Sequence, residues 1–110
     1  MTRSGTILIL FIAALLEAGG DAIVRLGLRS SMLWQRGLLF ALGAIVLFAY
    51  GWTVNRPPWG FGKLLGLYVV FFFVIAQLIS WLAFRQMPSA HMLIGGALIV
   101  AGGAVIALGS

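Results

Sequence analysis

Four apolar runs, each about twenty residues long, are separated by three short polar breaks, and cover about 6–28, 33–54, 62–84 and 90–108. A helix rising 1.5 Å per residue needs about 20 mostly apolar residues to cross a ~30 Å hydrocarbon core. None of the runs alternates with the period of two that marks a membrane strand. Only helices and closed barrels satisfy their backbone groups in lipid. The pattern therefore predicts an all-α membrane protein with four transmembrane helices per protomer, filling 1–110 as a single domain.

The breaks carry their own chemistry. Arg29-Ser30-Ser31 turns the chain after the first run. Asn55-Arg56-Pro57-Pro58-Trp59-Gly60 ends the second, because two prolines remove donors and forbid helix. Arg85-Gln86-Met87-Pro88-Ser89 ends the third and offers Ser89 as an N-cap for the fourth. Trp34 at the entry of the second run, and Tyr50 and Trp52 near its exit, read as an interfacial aromatic belt. The first run superficially resembles a signal peptide, but it continues through Glu17, Asp21 and Arg25 without a small-x-small cleavage site. It reads as the first membrane helix.

Composition agrees with lipid as the solvent. Hydrophobic residues make up 63% and charged residues 8%, against about 45–50% and 25% in soluble domains. The net charge of +5 comes mostly from basic residues at run ends, where they meet headgroups. Nucleic acid is therefore not the expected partner, and the lipid bilayer is. Arg3, Arg56 and Lys63 fall on one side of the membrane, and Arg25, Arg29, Arg36 and Arg85 on the other. With Arg25 counted inside the membrane the two sides are equal, so the positive-inside rule gives almost no orientation. Such balance would permit insertion both ways and an antiparallel homodimer; the plain alternative is that short loops hold few charges.

Glu17 leads the candidate chemistry. A charged carboxylate near the bilayer centre costs on the order of 2.5–3.5 kcal/mol by insertion scales. It persists where it faces a cavity, is paired, or holds a proton. One carboxyl that holds either a proton or a cation is the minimal machinery of an antiporter; the alternative is a neutral acid bonding across helices. Asp21 and Arg25 follow at successive turns on the same stripe. The preferred reading is an Asp21–Arg25 ion pair that leaves Glu17 to titrate. In the other, Glu17 and Asp21 share a proton. Gly19 and Gly20 beside them read first as close helix approach, and second as room for a ligand.

The third run offers Tyr68, Gln77, Ser80 and Trp81, with Gln77, Ser80 and Trp81 on one helical face and Tyr68 roughly opposite. Gln77 is either a cavity residue or an interhelical hydrogen-bonding group, and Phe71-Phe72-Phe73 reads as lipid contact. In the fourth run Gly95 and Gly102, like Gly96 and Gly103, are seven apart and form a smooth packing stripe. Spacing leaves open whether that stripe packs within the chain or on a second copy. A lone His91 and the absence of cysteine suggest no metal site and no cofactor. No nucleophile–base set or phosphate loop can be assembled, so enzyme activity is not expected.

With those residues in view, the chain resembles the small multidrug resistance superfamily. Glu17-Ala18-Gly19-Gly20 with basic Arg25 looks like that family's Glu-x-x-Gly segment. Gly95-x-x-Leu98-Ile99-x-x-Gly102 is similar to its helix-packing motif. The nearest resemblance is to the YnfA-like branch, through the first-helix Glu-x-Gly-Gly and through Phe61-Gly62-Lys63-Leu64-Leu65-Gly66-Leu67-Tyr68 entering the third helix. The resemblance implies an antiparallel dimer of four-helix protomers in the bacterial inner membrane. It implies Glu17 as a shared proton and substrate site, and Tyr68 as a lining residue. The chain departs at Phe71, where drug-exporting members carry tryptophan, at Val69-Val70, where the branch carries glycines, and in the added acid Asp21.

The expected function is proton-coupled efflux of small organic or hydrophobic cations by a homodimer, with Glu17, Asp21, Tyr68 and Gln77 at the binding site. The rival expectation is a non-transporting membrane interaction subunit, or one subunit of a heteromeric transporter or lipid-substrate flippase.

Overall fold

The computed structural model describes residues 2–109 and is all-helical over them. Helices α1 (Arg3–Leu28), α2 (Leu33–Val54), α3 (Phe61–Phe84) and α4 (Ala90–Gly109) are each long and apolar enough to cross a membrane. The four spans fall where the apolar runs put them, with α1 starting one turn earlier than the run suggested. Thr2 explains the early start, since its Oγ1 accepts from the Gly5 N–H at 3.0 Å and caps the first turn.

The other ends are closed by equally local chemistry. Asn55 Nδ2 donates to the Gly51 carbonyl at 2.8 Å at the end of α2. Arg85 takes a left-handed conformation (φ 56°) and the Gln86 N–H returns to the Ser80 carbonyl at 3.0 Å, which terminates α3. Ser89 caps α4 as expected, its Oγ accepting from the Met92 N–H at 3.2 Å.

Helix α1 packs on both α2 and α3, whereas α4 packs on α3. The molecule measures 49 × 34 × 19 Å, so it is thinner than two helix diameters of about 10–12 Å. It is a row of helices in the order α2, α1, α3, α4, bent so that α2 and α3 form the walls of a trough with α1 at its floor. The α1–α2 seam is built on small residues. A Cβ added at Gly20 would stand 2.7 Å from Leu47 Cδ2, and one at Gly43 would stand 2.7 Å from Val24 Cγ2. Gly19 has open space around it, because it points about 200° away from Glu17 on the helix. It therefore provides no room beside the acid, which corrects the ligand-room reading.

The floor of the trough closes at one end, where Thr6, Leu10, Val54 and Leu64 are fully or almost fully buried. The small-residue stripe of α4 divides in two. Gly96 and Gly103 are buried against α3, where a Cβ at Gly96 would meet Phe73 Cε1 at 2.6 Å and one at Gly103 would collide with Val70. Gly95 and Gly102 have nothing within 4 Å. Packing within the chain accounts for half of the stripe.

Candidate functional site

The three-helix trough holds Glu17 near its middle. Glu17 is half-buried on α1, flanked by buried Ala13, Ala14 and Ala18. These small side chains let α3 approach closely enough for a long side chain to span the gap. Tyr68 does so: it is 4% exposed, and its hydroxyl donates to Glu17 Oε1 at 2.7 Å. The same hydroxyl lies 3.3 Å from the Ala13 carbonyl oxygen. A phenol has one proton to donate and lone pairs to accept. Against a carboxylate it donates to Oε1; against a protonated acid it can accept from the carboxyl and turn its own proton to Ala13.

Tyr50 enters from α2 and tilts its ring against Tyr68, with centroids 5.5 Å apart, while Phe72 flanks the other side at 6.3 Å. Aromatic walls of this kind exclude water and offer ring faces to a cation. Tyr50 is thus a wall of the carboxylate site, which corrects its reading as an interfacial anchor. Trp52, two residues on, is exposed as a belt residue should be. Residues two apart on a helix point about 200° apart, so the two aromatics could not share one role. The phenylalanine run is corrected likewise: Phe72 faces the site and Phe73 seats on Gly96.

Asp21 lines a cavity of about 230 Å³ between α1 and α3, toward the open end of the trough. Arg25, Phe84, Ser80 and Gln86 line the same cavity. No ion pair joins Asp21 to Arg25 among the described residues; the Arg25 guanidinium instead lies over the Phe84 ring, 5.2 Å from its centroid. The expected pair is therefore not formed. A desolvated aromatic face competes well with an exposed carboxylate for arginine, and the last turn of α1 already favours a cation. Gln77 stands apart from this site. It lines a separate apolar cavity of about 190 Å³ between α3 and α4, beside Phe73, Trp81 and Met92. Glu17, Asp21 and Tyr68 share the trough, and Gln77 does not. Among the described residues no cluster of three metal-ligating side chains occurs.

The chain is 36% identical over 97 residues to a UPF0060 membrane protein of Desulfitobacterium hafniense (strain Y51), covering 86% of each. The chain belongs to the UPF0060 membrane protein family. The UPF0060 membrane protein YfjF of Bacillus subtilis (strain 168) is 35% identical over 103 residues, covering 92% of this chain and 91% of that protein. A UPF0060 membrane protein of Clostridium beijerinckii (strain ATCC 51743 / NCIMB 8052) is 30% identical over 103 residues, covering 92% and 90%. No family model matches the chain, and no solved structure matches it. UPF0060 is the YnfA-like family that the first- and third-helix motifs suggested. These relatives are membrane proteins by name, and four spans make this UPF0060 protein a multi-pass cell-membrane protein.

Two residues of the candidate site escaped sequence reasoning. Tyr50 lies two residues from the exposed Trp52, and Phe72 lies inside a run of three phenylalanines, so neither stood out from its neighbours. A helical-face count anchored on Tyr68 would have found Phe72, which is four residues on. Tyr50 had no such signal, because only the α2–α3 approach brings it in.

Proposed function

We propose that this UPF0060 protein is a proton-coupled exporter of small organic cations and a member of the small multidrug resistance superfamily, with Glu17 as the group that exchanges a proton for substrate. The hydrogen bond from Tyr68 to Glu17 at 2.7 Å carries this reading. It gives a mid-membrane carboxyl a partner that serves either protonation state, inside an aromatic-walled trough suited to a cation. A buried polar group with one fixed partner would need only structure; a donor with two acceptors within reach suits a group that changes state.

The working unit in this reading is a homodimer, antiparallel as near-balanced loop charges permit. A single protomer leaves the trough open along one side, and 19 Å of thickness cannot enclose a substrate. A second copy facing the first would bring a second Glu17 to the same space. The interaction-subunit reading loses one of its two supports, since Asp21 and Arg25 do not form the expected pair, and keeps the third-helix departures at Val69-Val70 and Phe71.

The test is proton release from purified protein on addition of cations, followed by proton flux in liposomes under a cation gradient. Wild type is expected to release protons on binding, and Glu17→Gln to release none and to lose transport. Cation transport by Glu17→Gln at the wild-type rate would overturn the mechanism.

A further inference from the structure

The cavity between α1 and α3 presents charges of both signs that do not neutralise each other. Asp21 and Arg25 both line it, yet the guanidinium is held over Phe84 at 5.2 Å. Four residues along a helix separate their Cα atoms by roughly 6 Å along the axis. Ser80 Oγ donates to Gln86 Oε1 at 3.2 Å, which uses the Gln86 amide oxygen and leaves its NH₂ as a donor on the cavity that Arg25 also lines. Phe72 supplies an apolar wall below.

A simple cation drawn to Asp21 would sit beside the positive Arg25, and a simple anion drawn to Arg25 would sit beside Asp21. Each would meet an attraction and a like-charge repulsion of similar size. A molecule with a cationic end and an anionic end a few ångströms apart meets two attractions. At about 230 Å³ the cavity is smaller than the ~300–1,000 Å³ pockets of drug-sized ligands, which limits the occupant to a small molecule. We infer that this cavity is a binding site for small zwitterions, an ammonium at Asp21 and a carboxylate or similar anion at Arg25 and the Gln86 amide. The inference goes beyond the export reading: it adds a second site, lined by Asp21 and Arg25 and not by Glu17, and it does not depend on cation export.

Isothermal titration of the full-length protein in lipid nanodiscs would use three probes of one carbon skeleton: 4-aminobutyrate, butylamine and butyrate. Wild type is expected to bind 4-aminobutyrate about tenfold or more tighter than either singly charged probe, as one further charge-assisted contact provides. Arg25→Gln should bring 4-aminobutyrate down to the level of butylamine, and Asp21→Asn down to that of butyrate. Equal binding of butylamine and 4-aminobutyrate by wild type, or no binding of the zwitterion, overturns the inference without recourse to any variant. The two readings fail separately. Proton release by butylamine with no preference for the zwitterion removes the site and keeps the exporter. Preferred binding of the zwitterion, with no proton release on addition of butylamine or any other cation, keeps the site and removes proton coupling.

Discussion

The α1–α2–α3 trough and α4 are built from the same kinds of residue and behave as opposites. In the trough, glycines of both facing helices are filled by the neighbour, Gly20 by Leu47 and Gly43 by Val24, and the floor residues Leu10, Ala13 and Ala14 are fully buried. Helix α4 is equally apolar but joins the rest along one row, through Gly96 and Gly103, while Leu93, Leu98 and Val105 stay exposed. Hydrophobicity cannot separate these regions in lipid, where apolar surface has no water to escape. Close fit can. The trough holds its polar centre in fixed geometry because small residues on both helices interlock, and α4 is free to pair elsewhere because only half of its stripe is used.

The largest effect is expected at the centre of the trough. Tyr68→Phe removes the donor to Glu17 and should weaken cation binding about ten- to a hundredfold, since a hydrogen bond to a charged group is worth about 1.5–3 kcal/mol. Proton release on titration with a cation would measure it, and an unchanged affinity would separate Tyr68 from the site. Next, Gly43→Leu should lower stability by about 1–3 kcal/mol, because the new side chain meets both Val24 and the Gly20 backbone. Unfolding in mixed detergent would report the loss.

The two halves of the α4 stripe should respond differently to the same substitution. Gly103→Val collides with β-branched Val70 and should destabilise the protomer by about 1–2 kcal/mol. Gly102→Val meets nothing within the protomer and should leave its stability within about 0.5 kcal/mol. If a second copy uses that face, the same change lowers self-association measured by energy transfer between labelled protomers. The smallest effect is expected at Thr6→Val. Thr6 Oγ1 is buried and has no partner among the described residues, so replacing it with a methyl should leave the midpoint of unfolding unchanged or slightly raised.

Much of the fold was legible because span length and polar breaks are one-dimensional signals. The prolines at 57 and 58 and the cap at Ser89 mark boundaries without reference to any other helix. Glu17 was legible through its cost in lipid, and Tyr68 through a family resemblance. What the sequence did not reveal depends on which helices touch. Arg25 had two partners in reach, and only the position of Phe84 on α3 decides between them. Tyr50 joins the site through the bend that brings α2 toward α3. Gln77 is nine residues from Tyr68, half a turn out of phase; its spacing already placed it on the far face, where it lines the α3–α4 cavity.

The Ala13 carbonyl near the Tyr68 hydroxyl has a further consequence. In an α-helix that carbonyl accepts the backbone N–H four residues on, which here belongs to Glu17 itself. Tyr68 therefore touches both the side chain of Glu17 and the rung of the helical ladder that supports it. If Glu17 exchanges protons as proposed, a phenol that turns from one acceptor to the other changes its hold on that turn of α1. The state of one carboxyl would then be coupled to the shape of its own helix through a residue of another.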